Sequence, residues 1–259
     1  MPVALVTGAA RGIGAATVAA LADDGYQVVA LDACAGDDGT VGYPLASRQD
    51  LDAVVEPYGD RVLPWVADVR DAAAVHAAVD AAVARWGRLD AAVAAAAVIA
   101  GGRPLWETPA RDLDLLWDVD LRGVWHTAAA AVPAMLAGPD PGRGRFVAVA
   151  SAAGSRGLYA LSAYTVVKHA VVGLVRGLAA DLVGTGVTAV AVSPGATDTA
   201  MLAATAGLYG IDDPAALAGH QLLREPLTPA EVAATIRHCC GPEGRVLNGS
   251  VVAADGGFA

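Results

Sequence analysis

Lysine is almost absent from this chain. Among its 259 residues the 17 basic ones are arginine at every position but Lys168, and 27 acidic residues leave a net charge of −10. So little positive charge excludes a non-specific binder of nucleic acid or of an anionic membrane, which needs clustered cations. Cysteine is also scarce: three residues, of which Cys239 and Cys240 are adjacent, cannot build a disulfide framework. No CxxC or HExxH spacing occurs, so no metal is expected. The N-terminus MPVALVTGAARG lacks the basic segment and apolar core of a secretory leader. The longest apolar run, Ala91 to Ala100, falls well short of the ~20 residues a membrane helix requires. These absences predict a cytoplasmic protein without a nucleic-acid or membrane partner.

Charged residues are few, at 17%, against 55% hydrophobic, a balance that excludes a disordered chain. A chain of this length buries a large core without staples. Its apolar residues fall into short runs that alternate with amphipathic stretches. Strands are predicted at Val3–Thr7, Gln27–Leu31, Arg61–Val66, Asp90–Ala95, Arg145–Ala150, Thr188–Val192 and Ser250–Ala253. Helices are predicted over 12–24, from a cap at Asp71 to Trp86, through most of 105–136, over 163–183 and over 228–239. Strands that are apolar throughout are buried on both faces, and strands alternating with helices imply right-handed crossovers and a parallel sheet. No linker or repeat divides the chain, so residues 1–259 read as one domain.

Thr7-Gly8-Ala9-Ala10-Arg11-Gly12-Ile13-Gly14 lies between the first strand and the first helix, where a dinucleotide site belongs. Gly8 permits the tight turn, Gly12 lets a pyrophosphate approach the backbone, and Gly14 lets the helix pack closely. The helix N-terminus offers N–H groups and a partial positive charge to phosphates. Asp32 ends the second strand near the ~20-residue spacing of a carboxylate that binds the adenosine ribose. Such a carboxylate repels a 2′-phosphate, which favours NAD over NADP; Arg11 pulls weakly the other way.

Tyr164 and Lys168 stand four apart on a predicted helix and so share a face. An ammonium beside a phenol lowers a pKa that is otherwise about 10, giving a general acid/base usable near neutral pH. Ser151 ends the preceding strand, where its hydroxyl can bond a substrate oxygen.

In this order TGAARGIG, Asp68-Val69, Ser151/Tyr164/Lys168, Ser193-Pro194-Gly195 with Thr197 and Thr199, and the terminal DGG resemble a short-chain dehydrogenase/reductase over essentially the whole chain. The resemblance implies a Rossmann-type, doubly wound three-layer α/β fold with a seven-stranded parallel sheet, and a homotetramer. It implies that Asp68 and Val69 lie near the adenine, and that Pro194, Gly195, Thr197 and Thr199 lie near the nicotinamide. It implies that Ile13, Ala95, Ala96, Ala97 and Val119 also touch the cofactor, that Lys168 binds its ribose, and that Ala153, Tyr159 and Met201 join Ser151 around the substrate.

Three departures from the family pattern matter. Ala94-Ala95-Ala96-Ala97 replaces Asn-Asn-Ala-Gly, keeping small volume but losing amides that brace the sheet. Asp120 stands where the family has an asparagine that anchors a relay water; it can still accept from that water, but its charge opposes a Tyr164 phenolate. An extended segment, Cys34 to Asp52, has no evident helix signal, and it is anchored by Tyr43-Pro44-Leu45. As an insert at about 33–58 it would lie over the adenosine half of the cofactor. In this the chain resembles an actinobacterial subgroup linked to the redox peptide cofactor mycofactocin, which implies tightly held NAD with mycofactocin as external electron acceptor.

Residues 200–227 are expected to form an apolar substrate lid. The five tryptophans are expected in the core, with Trp106 the one able to reach the substrate mouth. The histidines are expected to be structural or surface groups. The expected activity is NAD-dependent interconversion of a hydrophobic secondary alcohol and its ketone. The alternatives are an NADPH-dependent ketoacyl-type reductase and a non-catalytic dinucleotide-sensing protein.

Overall fold

A computed structural model of the chain describes residues 1–258. Seven strands, β1 (Val3–Thr7), β2 (Gln27–Asp32), β3 (Val62–Val66), β4 (Ala91–Ala94), β5 (Arg145–Val149), β6 (Thr188–Pro194) and β7 (Val251–Ala254), form one sheet. Every pairing is parallel, in the order β3-β2-β1-β4-β5-β6-β7. This is the doubly wound Rossmann-type architecture expected from the sequence. The expected strand bounds hold to within two residues at each end.

Side chains alternate between the faces of the sheet. Val3 and Leu5 enter one apolar cluster while Ala4 and Val6 enter the other. Helices α1 (Gly12–Asp23) and α8 (Pro229–Cys240) contribute to the second cluster; α3 (Ala72–Trp86), α5 (Gly123–Ala137) and α6 (Ser162–Asp181) contribute to the first. Asp71 caps α3 through the N–H groups of Ala73 and Ala74, and Gly87 ends it in the left-handed region at φ 77°.

The structure corrects two local expectations. The segment after β2 contains a helix, α2 (Arg48–Val55), opened by a capping box between Ser47 and Asp50. Parallel β2 and β3 need a crossover that covers the sheet, and α2 supplies it, burying Leu51 and Val55. Only the stretch before it, 33–46, is an irregular strap, closed by backbone bonds from Gly36 to Ala46 and from Leu45 to Gly36. The second correction concerns the tryptophans, none of which is in the core. Trp65 and Trp86 are half-buried, and Trp106, Trp117 and Trp125 are exposed. The core is built instead from alanine and valine, with Phe146 its largest fully buried side chain.

The predicted helical region at 105–136 is broken into α4 (Ala110–Leu116), a π-helical segment over Trp117–Arg122, and α5. Within 200–227 lie α7 (Ala200–Tyr209) and a 3-10 turn at Pro214–His220. Among the described residues no helix is long and apolar enough to cross a membrane.

Candidate active site

The strand order reverses between β1 and β4, which opens a crevice at the carboxyl ends of the strands, where ligands bind in such sheets. A cavity of about 640 Å³ lies there. All of the residues expected around a cofactor line it: Gly8, Arg11, Gly12, Ile13, Gly14, Asp32, Asp68, Val69, Ala95, Ala96, Ala97, Val119, Pro194, Gly195, Thr197 and Thr199. Ser151, Tyr164, Lys168, Tyr159 and Met201 line the same cavity.

The glycine turn is fixed by space as well as by torsion. Gly8 has φ 68°, and a Cβ there would stand 2.7 Å from the Ala96 backbone. A Cβ on Gly14 would collide with the Gly8 carbonyl. Gly12, at φ 56°, faces Thr199, whose methyl group a Cβ would meet at 3.2 Å. The turn therefore forms a cradle that any larger residue would fill. No side chain caps the first turn of α1, which leaves its N–H groups to an anion.

Asp32 holds this turn from below. One carboxylate oxygen accepts from Ala10 N–H at 3.0 Å and the other from Cys34 N–H at 2.9 Å. Each oxygen keeps lone pairs for further donors. Asp68 is bound instead by the Arg70 guanidinium, at 2.6 Å, which holds its carboxyl below the usual range against the opposing effect of burial.

Arg11 does not point at the cradle. Its guanidinium donates to the Pro44 carbonyl at 2.7 Å and lies over the Tyr43 ring. The Tyr43 hydroxyl in turn accepts from Ile99 N–H at 3.1 Å. The strap is thus tied to the glycine turn and to the loop after β4, and its Ala33, Ala35, Asp38, Thr40, Leu45 and Ala46 roof the cavity.

The alanine run after β4 is not unbraced. The Thr7 hydroxyl accepts from the N–H groups of Ala95 and Ala96, at 3.1 and 3.2 Å, and so braces the run against β1. A polar residue ending an otherwise apolar strand was the sequence signal for Thr7.

At the other end Tyr164 and Lys168 lie on one face of α6, with the ammonium 5.4 Å from the phenol ring centroid. Both are buried. The Lys168 ammonium donates to the Val149 carbonyl at 3.4 Å. Burial raises the Tyr164 phenol, Lys168 opposes that rise, and Asp120 adds to it, so the net direction is upward and not the downward shift expected of the Tyr–Lys pair alone. The Ser151 hydroxyl pulls the phenol down and accepts from Ala153 N–H at 3.1 Å.

Two expected site residues stand outside the cavity. Asp120 is fully buried; one oxygen accepts from Val98 N–H at 2.9 Å and the other lies 3.2 Å from the Lys168 ammonium. That second contact is an ion pair without hydrogen-bond alignment, since the oxygen has no hydrogen-bond partner. Asp120 therefore has no face on the cavity. Ala153 is also fully buried, packed under Tyr164 and Val167 rather than facing substrate. Conversely, His220 lines the cavity beside Phe258, its ring 5.9 Å from that of Phe258, although the sequence gave no sign of it. Trp106 does not line the cavity.

A family model described as enoyl-(acyl carrier protein) reductase matches residues 8–259. The (-)-trans-carveol dehydrogenase of Rhodococcus erythropolis is 39% identical over 215 residues, which are 82% of this chain and 76% of that protein. The chain belongs to the short-chain dehydrogenase/reductase family. It is therefore an oxidoreductase of that family. An uncharacterized NAD-dependent oxidoreductase of Mycobacterium tuberculosis is 40% identical over 204 residues, 77% of this chain and 73% of that one. The crystal structure of carveol dehydrogenase from Mycobacterium avium in complex with NAD superposes with a TM-score of 0.91 at 30% identity, covering 99% of this chain and 97% of that chain.

Proposed function

We propose that this short-chain dehydrogenase/reductase is NAD-dependent and interconverts a hydrophobic secondary alcohol and its ketone. One observation carries the reading: a single cavity joins the glycine cradle and Asp32 to Tyr164 and an apolar lid. The donor set fits a dinucleotide. The cradle and the first turn of α1 would hold the pyrophosphate, Asp32 the adenosine ribose, and Lys168 the nicotinamide ribose. The rival NADPH reading draws on Arg11, but its guanidinium is engaged by Pro44 and Tyr43, which favours NAD.

A dinucleotide held there would supply hydride acceptance and donation at the carbinol carbon. The chain's own residues handle the proton. Ser151 orients the substrate oxygen and stabilises charge developing on it. Tyr164 takes the hydroxyl proton during oxidation and returns it during reduction. Leu158, Leu161, Met201, Tyr209 and Phe258 enclose the substrate's hydrocarbon part and exclude water. The carveol dehydrogenase relatives support a cyclic, apolar alcohol.

The whole chain acts as one domain in this reading, with the strap over the cofactor and 200–227 as the lid. The strap over the cavity supports tightly held NAD; re-oxidation in place by mycofactocin, in a cytoplasmic homotetramer, is the remainder of the proposal. The test is turnover of cyclic secondary alcohols with NAD or NADP, alongside mass spectrometry of native and denatured protein. Activity with NAD that Tyr164→Phe abolishes, and NAD released only on denaturation, are the expected results. Preference for NADP, or equal rates in Tyr164→Phe, would sink the reading.

A further inference from the structure

A fully buried carboxylate at the reacting centre, out of reach of the cavity, calls for a physical explanation. Asp120 sits in the π-helical segment between α4 and α5, a local widening that recurs at functional sites. The segment turns its side chain inward, onto Lys168 and the backbone of Val98. A buried ion pair is not needed for stability alone, since apolar residues of similar volume often serve as well. This pair lies against the proton-carrying tyrosine.

We propose that Asp120 is a positioning residue: its buried carboxylate fixes the Lys168 ammonium in place and screens that charge from the Tyr164 phenol. The proposal rests on the reading of Tyr164 as the proton carrier and deepens it. Four groups face that phenol or its neighbours: Lys168 from α6 itself, Asp120 from the π-helical segment, Ser151 from the end of β5, and Tyr43 from the strap. Only Lys168 is positive, and Asp120 stands 3.2 Å from it; burial pushes the Asp120 carboxyl up on balance, while Lys168 and the Val98 N–H pull it down toward the charged form. Burial lowers the Lys168 ammonium, whereas Asp120 and Tyr164 raise it, for a net upward direction.

The consequence is a tyrosine that keeps its proton at neutral pH. It then starts as a ready acid for ketone reduction, while alcohol oxidation gains rate as pH rises.

Asp120→Asn tests this, because the amide carbonyl still accepts from Val98 while the charge is gone. The acid limb of the alcohol-oxidation profile should move to lower pH by about one unit or more. A merely structural role would change kcat or melting temperature without moving that limb. An unmoved limb, or one moved to higher pH, overturns the proposal.

A second measurement needs neither the Asp120 variant nor turnover. The ultraviolet tyrosinate signal of the parent, minus that of Tyr164→Phe, should titrate no lower than a free phenol, at about pH 10. Titration near neutrality would overturn the screening. This readout survives even if the alcohol substrates fail, so the two readings can fail separately.

Discussion

The Arg11 guanidinium carbon lies 5.6 Å from the centroid of the Tyr43 ring, joining the cradle of the cofactor site to the strap above it. With the bond to Pro44 this contact is worth on the order of 1 kcal/mol. Arg11→Ala should therefore speed the release of bound NAD about tenfold, a factor that corresponds to about 1.4 kcal/mol. Stopped-flow fluorescence of NADH release reads this directly. An unchanged rate would mean that the strap does not gate exit.

Asp32 both ties the glycine turn and faces the cavity. Asp32→Asn removes the charge that repels a 2′-phosphate. The ratio of kcat/KM with NAD to that with NADP should fall at least about tenfold, or about 1.4 kcal/mol. A constant ratio would leave Asp32 with the turn as its only task.

One hydroxyl, that of Thr7, accepts from two backbone N–H groups after β4. Thr7→Val keeps the shape but leaves the N–H groups of Ala95 and Ala96 without their acceptor. Destabilisation of about 1–3 kcal/mol is expected, measurable by urea unfolding. A loss within error would show that water or another group replaces the hydroxyl.

Tyr43 predicts a pH dependence. Burial pushes its phenol up to about 12. Unfolded, the same phenol ionises near 10. Above about pH 10 the unfolded chain therefore binds fewer protons than the folded one, and stability falls as pH rises toward the folded value. At neutral pH Tyr43→Phe should be weaker by about 1 kcal/mol, the worth of the bond from Ile99. From about pH 9 to 11 that gap should narrow, because phenylalanine has no proton to lose. Parallel denaturant curves across this range test the sign; a widening gap would refute it.

Much of the site was legible because chemistry needs fixed residues at fixed spacings. Gly8 and Gly14 are dictated by backbone contact, Gly12 by its positive φ and the Thr199 side chain, and Asp32 by its place at a strand end. Tyr164 and Lys168 are dictated by one helical turn. What stayed illegible depends on distant chain segments. Nothing local told that Asp120 would face Lys168 and not the cavity, since the π-helical widening rotates it. The weak pull of Arg11 toward NADP was read without its partners, Tyr43 and Pro44, because they lie in another loop. Helix α2 was legible after all, in Ser47 and Asp50 and the spacing of Leu51 and Val55, but the glycines before it obscured the signal. His220 lines the cavity where the segment after it pairs with Gly256, Gly257 and Phe258 near the C-terminus, far away in sequence.

The placement of tryptophan governs how this molecule can be watched. Trp106, Trp117 and Trp125 are exposed, and only Trp65 and Trp86 pack against the core, so indole emission is weighted toward the surface. Three indoles will report what settles on the outside of the molecule, and Trp65 on the edge strand β3 the loosening of the sheet.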